Sequence, residues 1–191
     1  MRVTAGRLRG RKLRAPRDAR PTSERARSGL FDWLGARVEG RAVLDLFAAS
    51  GALGIEALSR GAARAVFVEQ SRSAVQTLRR NLGDLDLQHD SDVLPQDALR
   101  ALCALARREE RFGLVFADPP WGSDWLARLA KAPELVEILE PGACLIFERS
   151  KRDTHAAIAG LEPAGTKTYG ETVFDAYQTD EQEDEEGGGP E

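Results

Sequence analysis

Metal and thiol chemistry have little to work with in this chain, which holds two cysteines and two histidines among 191 residues. Cys103 falls in a helical pattern and Cys144 in a strand pattern, and neither has a partner at metal-ligand spacing. Both are expected as small core residues in a reducing compartment, and no metal is expected. His89 and His155 are isolated, and no Gly-x-Ser-x-Gly is present, so the usual hydrolase constellations are excluded. No apolar stretch approaches the roughly 18 residues of a membrane span. The opening Met1-Arg2-Val3-Thr4-Ala5-Gly6-Arg7 lacks the apolar centre of a secretory signal. A cytoplasmic, metal-free protein is the expectation. Internal repeats are lacking too, and 191 residues with 42% hydrophobic content allow one domain with a sizeable core.

Lysine is scarce, four against 23 arginines, and the charge is unevenly placed. Residues 1–30 hold ten Arg or Lys against two acids, whereas residues 180–191 hold seven acids and no base. The net charge of −4 therefore says little about a partner. No acid interrupts the first seventeen residues, where Arg7, Arg9, Arg11, Lys12, Arg14 and Arg17 lead toward Arg20. A surface of that kind contacts phosphates, so a nucleic-acid partner is expected. The tail 180–191 has no apolar residue and is expected to be disordered.

Residues 1–34 read as a basic extension packing on a core that spans 35–179. The extension begins as a short hairpin over residues 2–14, around Gly6–Gly10. An irregular Pro16–Pro21 link follows, then a helix capped by Thr22 or Ser23 with Ala26, Leu30, Trp33 and Leu34 on its apolar side. In the core, strand 42–46 leads to helix 52–60, strand 65–69 and helix 72–82, where Val75, Leu78 and Leu82 share a face. A weak strand near Val93-Leu94, helix 98–108 and strand 112–117 come next. One or two short helices fall between Asp124 and Leu139, and Pro141-Gly142 turns the chain into strand 143–148. A β-rich section closes the core at about 161–178. Alternating strands and helices define an α/β fold, a mostly parallel sheet with helices on both faces.

Asp118-Pro119-Pro120-Trp121 is the most informative stretch. It follows the apolar run Leu114-Val115-Phe116-Ala117, and two prolines end that strand at once. Asp118 is thus held at the carboxyl end of a strand, where open α/β sheets bind ligands. One chemistry fits its neighbours well. A nucleobase amine is a poor nucleophile because its lone pair is delocalised into the ring. A carboxylate and a backbone carbonyl that both accept from the NH2 draw the nitrogen toward a tetrahedral shape, and an aromatic ring gives the extruded base a face to stack on. A tight turn with a buried Trp is the plainer alternative for the same four residues.

The second signal lies 73 residues upstream. Val43-Leu44-Asp45-Leu46-Phe47-Ala48-Ala49-Ser50-Gly51-Ala52-Leu53-Gly54 reads as strand, small-residue turn and helix start, which lets backbone approach a ligand and presents unpaired N–H groups. Glu69 follows Asp45 by 24 residues and closes the run Ala65-Val66-Phe67-Val68. An acid there is placed to accept from both hydroxyls of a ribose, the alternative being a strand-end charge facing water.

Together these stretches closely resemble the bacterial methyltransferases of RsmD type over about residues 3–178. The resemblance includes Ala5-Gly6, Gly10-Arg11 and Leu13, then Arg20-Pro21-Thr22-Ser23-Glu24-Arg25-Ala26-Arg27 with Leu30-Phe31. It continues through the Asp45–Gly54 turn, Glu56-Ala57-Leu58-Ser59-Arg60-Gly61-Ala62, Glu69, Asp97-Ala98, Asp118-Pro119-Pro120 and Tyr169-Gly170-Glu171-Thr172. The resemblance implies a Rossmann-like class I fold and S-adenosyl-L-methionine as cofactor. It implies methylation of the exocyclic N2 amine of one guanine in 16S ribosomal RNA, of the guanine-966 type, by a monomer acting on the RNA or the assembling 30S subunit.

On that resemblance Asp118, Pro119, Pro120 and Trp121 form the catalytic group. Asp45, Phe47, Ala48, Ser50, Gly51 and Gly54 pack around the methionine end of the cofactor. Glu69 and Gln70 meet its ribose, and Asp97 with Ala98 meets its adenine, Asp97 doubling as a helix N-cap. Arg7, Arg9, Arg11, Lys12, Arg20, Thr22 and Arg25 contact RNA, and the 22–27 segment folds over the active site or is simply a capped helix.

The chain departs from the family at two places. Ala49 stands where Gly is usual, costing roughly 1–2 kcal/mol if that position needs a positive φ. Trp121 stands where Phe or Tyr is frequent, giving a larger stacking surface. The same Asp-Pro-Pro-aromatic would also serve an adenine-N6 or cytosine-N4 methyltransferase on DNA or RNA, although no separate target-recognition domain is apparent. A non-catalytic RNA-binding assembly factor is the alternative from another class, against which the intact Asp118 argues. A dinucleotide-binding dehydrogenase would give Asp118–Trp121 no role.

Overall fold

The computed structural model describes residues 1–15, 23–153 and 157–180. Its strands are β1 (Ala42–Asp45), β2 (Arg64–Val68), β3 (Ser91–Leu94), β4 (Phe112–Ala117), β5 (Leu139–Ser150), β6 (Glu162–Tyr169) and β7 (Thr172–Gln178). They form one sheet in the order β3-β2-β1-β4-β5-β7-β6. The first five run parallel, and β7 and β6 pair antiparallel at one side. Every residue of β4 is buried, as a central parallel strand covered on both faces must be.

The period-2 alternation of the strands sorts their side chains into two cores. Val43, Phe67, Leu114, Phe116 and Ile146 pack on one face, and Leu44, Val66, Val115, Leu145 and Tyr177 on the other. The helices α1 (Glu24–Leu34), α2 (Ala52–Ser59), α3 (Arg72–Asp84), α4 (Ala98–Arg107), α5 (Trp125–Leu129) and α6 (Pro133–Glu137) complete the layers. Strand order reverses between β1 and β4, so the carboxyl ends of these two strands open a crevice there. The α/β fold expected from the alternation is the one observed.

Several local expectations need correction. β5 begins at Leu139, and Pro141-Gly142 lies within it rather than before it. The register against β4 jumps from Phe112↔Leu139 to Leu114↔Cys144, so the proline sits at an irregularity where no ladder N–H is required. Residues 2–14 do double back as a short hairpin, but without regular strands: the antiparallel bridge of Arg2 with Lys12 is flanked by bonds from the Val3 N–H to the Arg11 carbonyl (3.0 Å) and from the Leu13 N–H to the Met1 carbonyl (2.9 Å). The half-buried Cys103 donates its Sγ–H to Glu134 Oε1 at 3.1 Å, so it is no core residue, whereas Cys144 is buried.

In α1, Ser23 is the cap, accepting from the Ala26 N–H at 3.1 Å. Thr22, the other candidate, lies outside the described residues, as do the Pro16–Pro21 link, Arg20, His155 and the tail beyond Asp180. Trp33 is only half-buried, and its place on the inner face is taken by Phe31 and, unexpectedly, Arg27. Arg27 is fully buried and reaches Glu56 Oε2 at 3.4 Å, while its guanidinium also donates to the Arg2 carbonyl. Glu56, equally buried, accepts from the Thr4 N–H (2.8 Å), the Thr4 hydroxyl (2.6 Å), the Ala5 N–H (3.0 Å) and Arg60 (3.0 Å). These bonds fasten the N-terminal segment to α1 and α2, and Val3, Leu8 and Leu13 join the same apolar cluster as the sheet.

Candidate functional site

The crevice at the switch point is a cavity of about 610 Å³. Its floor comes from the turn after β1, with Phe47 and Ala49, and its sides from Glu69 and Gln70 after β2 and Ala98 at the start of α4. Asp118, Pro119, Pro120 and Trp121, directly after β4, close the other end. Eight of the fourteen residues expected in the catalytic and cofactor groups therefore meet in one space: Phe47, Glu69, Gln70, Ala98 and the four from Asp118 to Trp121. Pro119 is buried, Asp118 and Trp121 are half-buried and Pro120 is exposed.

The other six stand behind that surface and shape it. Asp45 Oδ2 accepts from the Gly54 N–H at 3.2 Å, holding the start of α2 against β1. Gly54 has no room for a side chain, since a Cβ would fall on the Phe67 ring. The Ala48 N–H donates to the Val68 carbonyl (2.9 Å) and the Gly51 N–H to the Ala48 carbonyl (2.6 Å), while the Ser50 carbonyl accepts from Asn81. Asp97 is the N-cap of α4, its Oδ1 accepting from Leu99 and Arg100, and Gln96 takes the cavity wall beside Ala98. Burial drives the Asp45 carboxyl up to about 7, opposed by the Gly54 N–H and reinforced by the charges of Asp118 and Glu69. Its Oδ1 is buried without a hydrogen bond among the described residues.

Glu69 is held by backbone on both sides. Its Oε2 accepts from the Ala49 N–H at 2.9 Å and its Oε1 from the Ser71 N–H at 2.7 Å. The first of these bonds needs the turn to fold back, which puts Ala49 at φ 46°. The positive φ weighed from the sequence is therefore real, and the alanine methyl bears the left-handed penalty of about 1–2 kcal/mol. Glycine removes that penalty but loses more chain entropy on folding, so Ala49→Gly is expected to stabilise by a net of about 0.5–1 kcal/mol. Urea unfolding measures this, and a destabilised variant contradicts it.

Residues from distant elements complete the cavity: Ser23 belongs to the 22–27 segment expected over the site, Tyr169, Glu171 and Thr172 belong to the late family signature but were given no role, and Trp125 and Glu148 were missed. Tyr169, Glu171 and Thr172, around the turn between β6 and β7, line the cavity, as do Ser23 and Trp125. Gly29 of α1 lies so close to the Tyr169 ring that any side chain there would displace it. Trp125 packs edge-on against Phe47 at 4.9 Å. Glu148, buried in β5, also lines the cavity. It closes the run Cys144-Leu145-Ile146-Phe147 just as Glu69 closes its own strand, so the same signal could have found it. A second hollow of about 380 Å³ lies on the far side of Pro119–Trp121 and shares Glu148.

Among the described residues, none of the basic ones expected to touch RNA (Arg7, Arg9, Arg11, Lys12 and Arg25) lines this cavity. Arg7 pairs with Asp90 at 3.0 Å and Arg11 donates to the Asp84 carbonyl at 2.6 Å, while Arg9, Lys12 and Arg25 are exposed. No helix is long and apolar enough to cross a membrane among the described residues, and no group of three or more His, Cys, Asp or Glu could hold a metal there.

A parallel sheet reversing at β1 and β4, with an acid, two prolines and an aromatic over a cofactor-sized crevice, defines the class as an α/β methyltransferase. Residues 1–178 match the family described as conserved hypothetical protein 95. The ribosomal RNA small subunit methyltransferase D of Haemophilus influenzae is 37% identical over 181 residues, covering 93% of each chain. That of Escherichia coli K12 is 37% identical over 150 residues, 78% of this chain and 71% of its own. A hypothetical protein of Thermus thermophilus superposes with a TM-score of 0.78 at 32% identity, over 94% of this chain and 99% of its own. An RNA methyltransferase from Salinibacter ruber, solved with S-adenosyl-L-homocysteine, shares the fold at 18% identity and a TM-score of 0.66, over 85% and 95% of the two chains. The chain belongs to the RsmD family of ribosomal RNA small subunit methyltransferases.

Proposed function

We propose that this protein methylates the exocyclic N2 amine of one guanine in 16S ribosomal RNA during small-subunit maturation, as a cytoplasmic monomer using S-adenosyl-L-methionine. The observation that carries the proposal is the meeting of Asp118–Trp121 with Glu69 and Phe47 in one cavity. The space fits such a cofactor, since about 610 Å³ falls within the range of about 300–1,000 Å³ usual for small-molecule sites. Glu69 offers a fixed carboxylate to ribose hydroxyls, with Gln70 beside it. Ala98 stands at the adenine end with Gln96 on the wall beside it and Asp97 behind as the cap of α4, and the turn from Asp45 to Gly54 borders the methionine end. When bound, the cofactor supplies an electrophilic methyl group.

The chain's own part is positioning. Asp118 and the Pro119 carbonyl accept hydrogen bonds from the two N–H groups of the guanine amine and direct its lone pair toward the methyl, and Trp121 stacks on the base. The amine becomes acidic only as the new C–N bond forms, so Asp118 orients the nitrogen and stabilises its developing positive charge without having to be a strong base. Pro119 and Pro120 hold this geometry because their φ angles are fixed. The exposed Arg9, Lys12 and Arg25 contact phosphates, and Arg7 and Arg11 do so by exchanging their present partners. The family pattern gives Arg20 and Thr22 the same surface. Such contacts supply affinity with little base selectivity, so the target is chosen by how folded RNA or the assembling particle presents one unstacked guanine.

Labelled S-adenosylmethionine, unmodified 30S particles and mass spectrometry of digested 16S RNA test this. N2-methylguanosine at one position is the expected product. Label on adenine N6, or only on duplex DNA, overturns the substrate assignment.

A further inference from the structure

Glu148 is used by none of the steps above, yet it is 4% exposed and lines the cavity together with Asp118, Pro119 and Trp121. Its position follows from the sheet. The last register pair between β4 and β5 is Ala117 with Phe147; Asp118 directly follows the end of β4, and Glu148 is the next residue of β5, which runs on to Ser150. Two acids thus stand side by side at the carboxyl edge of the central strands. Carboxylates accept hydrogen bonds and donate none, so the two present acceptors side by side to a base that enters the cavity.

Guanine matches two adjacent acceptors. Its N1–H lies beside the N2 amine on the same edge of the base, so a base whose amine reaches Asp118 presents N1–H to the neighbouring acid. Adenine and cytosine instead carry a ring nitrogen lone pair beside their amines, which a carboxylate repels. We infer that Glu148 is the residue that selects guanine, its carboxylate accepting the N1–H while Asp118 and the Pro119 carbonyl hold the amine. The inference rests on the guanine-N2 reading above and adds to it a basis for choosing the base, independent of where the RNA docks.

2-Aminopurine separates the two roles, because it keeps the amine to be methylated but has a lone pair at N1. Unmodified 30S particles are assembled on 16S RNA ligated to carry either guanine or 2-aminopurine at the target. For the natural enzyme, kcat/KM on 2-aminopurine particles is expected to fall by about a hundredfold or more, as for a site that hydrogen-bonds a group the analogue lacks. Glu148→Gln can turn its amide N–H toward the N1 lone pair. The preference for guanine should then shrink at least about tenfold, with cofactor affinity by calorimetry within about twofold of the natural enzyme. Equal turnover of both bases by the natural enzyme overturns the inference without any variant, which keeps the test decisive if Glu148→Gln does not fold. So does a Glu148→Gln enzyme that slows on both bases alike, which marks a purely structural side chain. Absence of N2 methylation on guanine particles overturns the function proposed above and this inference with it, a result distinct from either.

Discussion

Replacing Asp118 with alanine is expected to lower turnover by about a hundredfold or more while leaving cofactor affinity within a few-fold. Asp118 sits at the end of β4, anchored by a strand whose every residue is buried, and the two prolines after it fix where its side chain meets the cavity. The residues assigned to the cofactor come from the other side, after β1 and β2 and at the start of α4. Removing Asp118 therefore withdraws an acceptor that matters most as positive charge develops on the amine, and the ground-state complex with cofactor keeps its contacts. Single-turnover kinetics on 30S particles, with calorimetry of cofactor binding, separate the two effects. Turnover within a few-fold of the natural enzyme would show that Asp118 is only a turn residue. Asp118→Asn keeps one carbonyl acceptor and should fall between the two.

The largest effect on stability is expected from Arg27→Met. Arg27 and Glu56 are both fully buried, and removing one partner leaves the other charge without part of its compensation. Breaking a buried pair in this way costs about 3–5 kcal/mol. Glu56 keeps Thr4, Ala5 and Arg60, which holds the loss toward the lower end of that range. Urea unfolding measures it, and a loss below about 1 kcal/mol would show that the hydrogen bonds from Thr4 suffice without the pair.

The pH dependence has a definite sign. Burial alone would raise the Glu56 carboxyl, but the Thr4 hydroxyl and N–H, Arg60 and Arg27 outweigh it and hold it below its ordinary value of 4.5. A lowered acid stabilises the fold above its unfolded value, and that contribution is lost as pH falls through the folded one. Natural protein and Arg27→Met should therefore converge in stability as the solution is acidified through the lowered folded-state value of Glu56, below 4.5. The same network explains why truncating the basic arm is a poor test of RNA contact. Removing residues 1–14 also removes Val3, Leu8, Leu13 and the partners of Glu56, so loss of RNA binding would be confounded with loss of the fold. Single charge removals at Arg9 and Lys12 avoid this.

The sequence by itself determined the class of fold, the ends of the central strands and the chemistry gathered at them. Apolar runs such as Leu114–Ala117, halted by paired prolines, are local signals, and their register follows from the alternation that a buried sheet requires. That is why Asp118, Glu69 and the turn after Asp45 could be placed before any contact was known. Even the strain at Ala49 was foreseeable, because a small-residue turn after a strand commonly needs a positive φ.

Only the tertiary structure decided that β7 enters antiparallel between β5 and β6, which swings Tyr169, Glu171 and Thr172 back over the cavity. It alone put Arg27 inside, since a charge on a helix reads as solvated until its partner 29 residues away is known. The placement of Glu148 beside Asp118 was likewise out of reach. Strand pairing between distant segments is set by the packing of the whole sheet, and no local pattern carries that information.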